Sequence, residues 1–394
     1  MKVVISGLGA ISALGQNVEE IWDSVITGGS RYTERLEELP TDLRGLTARV
    51  DPSIYESVPP RLRAQMDIST QQAVVAAQEC LDNSDLQKRL QPAQIGVYSG
   101  NSLGGFEFTH REFRKLWESG NPRSVSVYES FAWFYAVTTG QISIKFGLKG
   151  PARSLVAGAS SGLDALGVAH DAITEGLPGA IAGGADSALD PWGYSGLSSL
   201  GDVSHVTDPQ KAYLPFCVEA QGYVPGEGGA MLALEGYEAP SRDCVVIKGH
   251  ARTFNGRSEL ASEGLARCIR LACERADMPF SKVDAAFMDA WGTLHWDASE
   301  HYAVTSTIGP EARMVAPSIG MGRLFSANGP MNAVLAVKSL ETGILPGTPI
   351  TGGELRWPDN FTTLPQEHGS LRNILILGRS PDGYNSALVL GFND

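Results

Sequence analysis

The chain has 394 residues, 43% hydrophobic and 19% charged, which excludes intrinsic disorder and allows a large buried core. Its 31 Lys and Arg against 44 Asp and Glu leave a net charge of -13, a field that repels phosphate backbones and argues against a nucleic-acid partner. No apolar run reaches the roughly 18–20 residues that span a bilayer, and no signal-peptide pattern follows Met1, so a soluble cytoplasmic protein is expected, with no membrane contact. The five cysteines (Cys80, Cys217, Cys244, Cys268 and Cys273) form no C-x-x-C and pair with no histidine at metal-ligand spacing, so reduced thiols and no metal are expected.

The N-terminus opens with a continuous apolar run over residues 3–10 that ends in a glycine turn, the pattern of a strand covered on both faces. Similar short runs recur at 95–98, 180–182, 231–234, 245–247, 285–288, 374–377 and 387–390. Helix-period stretches separate several of them, at 70–80, 162–174, 264–275 and 331–340. The alternation predicts an α/β fold with helices flanking mixed or parallel sheets. The two halves share a plan, each opening with a strand and a glycine turn. The division is expected at 1–235 and 236–394, with Glu, Pro, Ser and Arg interrupting the pattern near 235–243.

Residues 150–166 read as a strand, a tight turn of small residues and a helix. Such a turn presents one side chain at a helix N-terminus, where free N–H groups and the helix dipole favour an anion. Enzymes place a nucleophile there, because that field lowers a thiolate pKa and supports an oxyanion. Gly158-Ala159-Ser160-Ser161-Gly162 also fits the G-x-S-x-G elbow, which leaves a serine hydrolase using Ser160, with His368 as its late histidine, as an alternative. No H-G-G-G oxyanion loop accompanies it, and small residues closing a buried turn are the plainer reading.

In order along the chain stand Val4-Ile5-Ser6-Gly7-Leu8-Gly9, the stretch from Gly150-Pro151 to Gly162-Leu163-Asp164-Ala165, Ala182-Gly183-Gly184-Ala185-Asp186, Leu214-Pro215-Phe216 with 222–230, and the segment from Gly322 to Gly329. With these blocks the sequence resembles the β-ketoacyl synthases of the thiolase superfamily. The resemblance implies a thiolase-like α/β fold of duplicated αβαβα layered halves with mixed central sheets. It also implies lost catalysis. The acyl-accepting Cys of that family falls on Ala159, its two catalytic histidines fall on Trp291 and Arg323, and the lysine before the second histidine falls on Ser318. Alanine has no nucleophile, indole offers one donor, and a guanidinium cannot act as a neutral imidazole.

A synthase framework without catalytic residues resembles the chain length factor, the β subunit of type II polyketide ketosynthases. The agreement is closest over 104–117, 124–135 and Ser187-Ala188-Leu189-Asp190-Pro191-Trp192-Gly193. Many chain length factors carry Gln where this chain has Ala159, so an amide proposed to help malonyl decarboxylation is missing. Phe106, Thr109 and Phe113 are spaced i, i+3, i+7 and share one face if the segment is helical. The resemblance implies that these three, with Phe131, line a tunnel whose bulky residues stop a growing poly-β-ketone, at an octaketide-like length. It further implies a heterodimer with a catalytic ketosynthase. An acyl carrier protein would bring malonyl and polyketide thioesters, docking mainly on that partner, and no cofactor is implied. A divergent priming enzyme or ketosynthase using some other residue is the remaining alternative.

Three further groups carry weaker signals. Arg111, Arg114 and Lys115 form a local basic cluster that reads as a solvated helix face or as a contact for an acidic carrier. His295, Asp297 and Glu300 fit no metal spacing and read as a polar loop. Cys217 reads as a small buried residue.

Overall fold

The first apolar run becomes the strand that joins the two halves of the molecule. In the computed structural model, which describes residues 1–394 except 35–38, 40–42, 44, 133, 257, 258, 260, 370 and 394, strand β1 (Lys2–Ile11) is followed by helices α1 (Val18–Ile26) and α2 (Ile68–Asp82). Next come β2 (Ile95–Gly100), α3 (Phe106–Ser119), α4 (Ala136–Phe146), β3 (Ala152–Leu155) and α5 (Ser161–Thr174). The first half closes with β4 (Gly179–Asp186), α6 (Pro191–Ser199) and β5 (Gly228–Tyr237). The second runs through β6 (Val245–Phe254), α7 (Ala261–Arg275), β7 (Ala285–Phe287), α8 (Leu294–Thr307), β8 (Met314–Val315), α9 (Asn328–Thr342), β9 (Asn373–Arg379) and β10 (Tyr384–Phe392). Every strand and helix expected from periodicity is present, most of them extended by a few residues at the ends.

The ten strands lie in the order β8-β7-β9-β10-β6-β1-β5-β4-β2-β3. In the first half β1 and β4 run antiparallel to β5, while β2 is parallel to both β4 and β3. The second half repeats this: β6 and β9 are antiparallel to β10, and β7 is parallel to both β9 and β8. The fold is therefore duplicated, as expected. The two sheets meet at β1 and β6 through only two residue pairs, Val3 with Ile247 and Val4 with Val246.

Three apolar cores explain why the strands read as unbroken hydrophobic runs. Helices α5 and α9 pack together between the halves, with Leu163, Leu166, Met331 and Leu335 in one core beside Leu232, Leu234, Ile374 and Ile376. The intervening residues point the other way, so Leu375 and Leu377 join α7 and α8 in a second core, and Met231 and Ala233 join α2 in a third. Alternate residues of one strand thus serve two different cores. Among the described residues, no helix is long and apolar enough to cross a membrane.

Glycine in β1 is a packing requirement. A Cβ at Gly9 would lie 2.0 Å from the Ala76 carbonyl oxygen and 2.5 Å from the Cys80 nitrogen of α2, both backbone atoms that cannot move alone. Gly9→Val should therefore destabilise at or above the upper end of the about 1–3 kcal/mol typical of overpacking. A chemical denaturation midpoint indistinguishable from the parent would refute this account of the β1–α2 contact.

Candidate functional site

The turn between β3 and α5 is built as the sequence suggests. Gly158 has φ +56°, and a side chain there would strike Ser380, whose Oγ lies 2.2 Å from the Cβ position. Ala159 follows, buried, just ahead of the first turn of α5. The helix N-terminus therefore meets a methyl group. Ser160 is buried as well, and its hydroxyl donates to the Ala157 carbonyl at 2.7 Å, while the Ser161 hydroxyl accepts from the Ala157 N–H at 2.7 Å. The serine-hydrolase alternative fails on this geometry. The Ser160 proton goes to a backbone carbonyl, and the His368 imidazole is hydrogen-bonded to Arg313.

Trp291 and Arg323 converge in the same buried region. The Arg323 guanidinium stacks 3.6 Å from the Trp291 ring centroid and pairs with the Asp289 carboxylate at 2.7 Å, with both charged side chains fully buried. Its second amino group donates to the Asp289 carbonyl at 3.1 Å. The Trp291 indole N–H donates to Asp202 at 2.9 Å. Asn328 donates to Asp289 Oδ1 at 3.2 Å, and the Ser318 hydroxyl donates to Asn328 at 3.3 Å. Trp291 and Arg323 thus only donate, and both are already committed to carboxylates. Asp289, Asn328 and Asp202 were not singled out from sequence. Their roles depend on contacts spanning 34 to 89 residues, which no local pattern reports.

Backbone strain surrounds these residues. Phe216, Ala290 and Phe325 are non-glycine residues with φ of 63°, 57° and 50°, and all three are buried. Such conformations cost of order 1–3 kcal/mol each and persist only where neighbours enforce them. At Phe216 and Ala290 the enforcers are Asp297 and Glu300. Asp297 accepts the Phe216 and Gly292 N–H groups, both at 2.9 Å, and Glu300 accepts those of Asp289 and Ala290 at 2.7 and 3.1 Å. The expected polar loop at His295, Asp297 and Glu300 is thus corrected: these residues lie on α8, and the two carboxylates hold backbone donors. Burial pushes the Asp297 carboxyl up to about 7, and burial followed by the Asp289 charge pushes Glu300 up as well.

Three of the four candidate gate residues divide between two small cavities. Segment 106–119 is helical, so Phe106, Thr109 and Phe113 share a face as expected. Phe106 and Thr109 line a cavity of about 120 Å³ together with Leu103, Ala132 and Tyr135. Phe131 sits on a short helix, Glu129–Ala132, and lines an adjoining, smaller and more polar cavity with Asp67, Tyr128 and Thr138. Phe113 lines neither and packs between Trp117 and Trp192, at 5.9 and 6.2 Å between ring centroids. Trp192, which also meets Phe106 edge-on at 5.8 Å, and Tyr135, shared by both cavities, were not assigned to the gate from sequence. Trp133, within the aromatic run, lies outside the described residues.

The remaining candidates resolve into structure. Arg111 pairs with Glu107 at 3.1 Å and Lys115 with Glu112 at 2.6 Å, so much of the basic cluster is neutralised on its own helix. Cys217 is buried, and that burial pushes its thiol up to about 12, far from a reactive thiolate. Among the described residues, His170, Asp171 and His250 place ligand-type atoms within 4.8 Å of one another. Asp171 is already hydrogen-bonded to His250 at 2.7 Å, and Arg252 stands 4.0 Å away.

Two outcomes test the buried charges. Arg323→Met leaves Asp289 buried and unpaired, and should cost about 3–5 kcal/mol in denaturant unfolding. A loss below about 1 kcal/mol would show that water reaches the pair. For Asp297 the native carboxyl holds its proton to higher pH than the unfolded one, so folding takes up a proton between about pH 4 and 7. Stability is therefore greatest below that window and is lost as pH rises through it, by at most about 1.4 kcal/mol per pH unit for this group. A thermal melt series from pH 5 to 8 should show a slope that Asp297→Asn flattens. An unchanged slope would count against this assignment.

Comparison with known proteins agrees with this architecture. The chain matches the family described as "Beta-ketoacyl synthase, N-terminal domain" over residues 1–239 and "Beta-ketoacyl synthase, C-terminal domain" over residues 244–350. It is 41% identical to the actinorhodin polyketide putative beta-ketoacyl synthase 2 of Streptomyces coelicolor, covering 99% of this chain and 98% of the relative. It is 38% identical to the tetracenomycin polyketide synthase ketoacyl synthase beta subunit of Streptomyces glaucescens, covering 98% of each. Identity to the actinorhodin beta-ketoacyl synthase 1 of the same S. coelicolor strain is lower, at 28%. The solved ishigamide ketosynthase/chain length factor superposes with a TM-score of 0.89 over 100% of this chain and 99% of that one, at 22% identity, which speaks for the fold. The chain belongs to the β-ketoacyl synthase family, in the branch of ketosynthase β subunits, or chain length factors, of type II polyketide synthases.

Proposed function

We propose that this chain is the non-catalytic half of a polyketide ketosynthase, pairing with an active ketosynthase and setting the length of the poly-β-ketone made there. The observation that carries this reading is the closed site. The fold of the condensing enzymes is complete, yet the nucleophile position is a methyl group and the acid/base positions form a buried ion pair stacked on indole. Such a site offers no thiolate to load and no neutral imidazole to stabilise an enolate. A subunit of this kind contributes shape.

The surface supports a large partner. Strand β3 ends the sheet, with β2 on one side and no strand among the described residues on the other. Ile144 on the neighbouring α4, Val156 just after β3, and Val127 and Phe134 nearby in the chain are exposed apolar residues. A free edge beside exposed apolar side chains is a liability in an isolated protein and a natural seam for a second, similar sheet. An obligate interface of this kind buries about 2,000 Å² or more. Acyl carrier protein then delivers thioesters mainly to the catalytic partner, in keeping with the net charge of -13 on this subunit, and the assembly works in the cytoplasm.

Phe106, Thr109, Phe113 and Phe131 are assigned here as the gate, with Phe106 and Thr109 on the cavity wall and Phe113 buttressing through Trp192. Phe106→Ala, co-expressed with its ketosynthase and carrier protein, should move products toward longer chains, read by mass spectrometry. Phe113→Ala should do so less, because its ring acts at one remove. Unaltered chain length in the double variant would overturn the gate assignment. The subunit alone should neither load malonyl or acyl groups nor release carbon dioxide. Covalent label on the isolated chain would instead favour the divergent priming enzyme.

A further inference from the structure

The gate helix α3 is held at its start and at mid-length by buried carboxylates that the chemistry of condensation does not use. At its N-terminus, Asp67 Oδ2 accepts the Phe108 N–H at 3.0 Å, while Oδ1 accepts the N–H and the hydroxyl of Ser69 at 2.9 and 2.8 Å. One side chain thereby caps two helices, α2 and α3, and fixes the first turn of α3, which carries Phe106 and Thr109. Asp67 is buried and lines the same small cavity as Phe131. Further along α3, Glu112 is 2% exposed, and its Oε2 accepts the Ser126 N–H at 2.9 Å while Oε1 takes Lys115. Ser126 begins the segment that leads into the short helix bearing Phe131.

The two carboxylates therefore set the two walls of the gate relative to each other. Phe106 and Thr109 are placed by Asp67 and Phe131 by Glu112, and both acids act through α3. Other contacts support each wall as well: His110 bonds to Asp190 at 3.0 Å on the α3 side, and the Phe131 N–H donates to the Tyr128 carbonyl at 2.9 Å on the other. Ala132 touches the gate loop through a single backbone bond from Gly105 at 3.1 Å, and Phe131 is 37% exposed. Resting on the chain length reading above, we infer that Asp67 and Glu112 are positioning residues for product length: they hold Phe106 and Thr109 against Phe131 at the spacing that stops the chain. Removing either acceptor orphans a backbone N–H, and the cheapest relief is a shift of that helix turn or loop toward water, which widens the gate.

The test uses the full subunit co-expressed with its ketosynthase and carrier protein, reading the ratio of longer to normal products alongside recovery of the heterodimer. Asp67→Asn is nearly isosteric and keeps one acceptor oxygen of two. It should raise the longer-to-normal ratio at least twofold with the heterodimer intact. Glu112→Ala should do the same, and Glu112→Gln, which still offers an oxygen to Ser126, should return the ratio toward normal. A structural role alone would lower yield without changing the ratio. An unchanged ratio in D67N and E112A, alongside a shift in Phe106→Ala, overturns this inference and leaves the gate standing. No shift in any of them overturns the gate itself. Loss of the heterodimer in both D67N and E112A assigns the carboxylates to folding and overturns it too.

Discussion

Four donors converge on the carboxylate of Asp186, at the end of β4: the Ser102 and Leu103 N–H groups, the Ser102 hydroxyl and the Ser326 N–H, at 2.6–3.2 Å. Ser102 and Leu103 begin the loop that enters the gate helix, whereas Ser326 lies in the second half, three residues after Arg323. The two sheets share only two residue pairs, so their relative placement leans on contacts such as this one and on the packed pair α5 and α9. Burial raises the pKa of this carboxyl against the pull of its donors, which measures how far the group stands from water.

The same device recurs wherever the chain leaves a strand and must feed its backbone donors without water. Asp297 and Glu300 serve the strained turn at 289–292, Asp67 serves the start of α3, and Glu227 accepts the Val50 N–H and the Ser187 hydroxyl. Each removes an otherwise orphaned group whose desolvation costs about 1–3 kcal/mol. The loops are thus held by acids bonded to backbone, and those acids are distinct from Ala159, Trp291 and Arg323.

The fold was legible because its strands are covered on both faces, so short apolar runs such as 374–377 announce themselves and the duplication follows from their order. The nucleophile turn was legible because Gly158 and the small residues after it have few other uses. Helix α8 was misread as a polar loop for a physical reason: its buried residues include Asp297, Ser299 and Glu300, so no apolar period marks the core face. The gate was legible only in part. Spacing placed Phe106, Thr109 and Phe113 on one helical face, but which of them meets a cavity depends on Trp192 and Tyr135, neither of them on that helix.

The arginine at position 323 carries a full charge into the core. A buried ion pair is weak evidence for stability, because burying both charges costs nearly as much as their attraction returns. Its value here is that the guanidinium keeps its charge at any physiological pH. A lone histidine in this pocket would gain and lose its proton near neutral pH and leave a polar hole for water or substrate. The guanidinium stays charged, fills its volume, and pairs with Asp289 while covering the Trp291 ring. The pocket is thus filled by the stacked pair itself. On the reading proposed above, a cysteine placed at position 159 would find donors at Trp291 and Arg323 and no base to activate it.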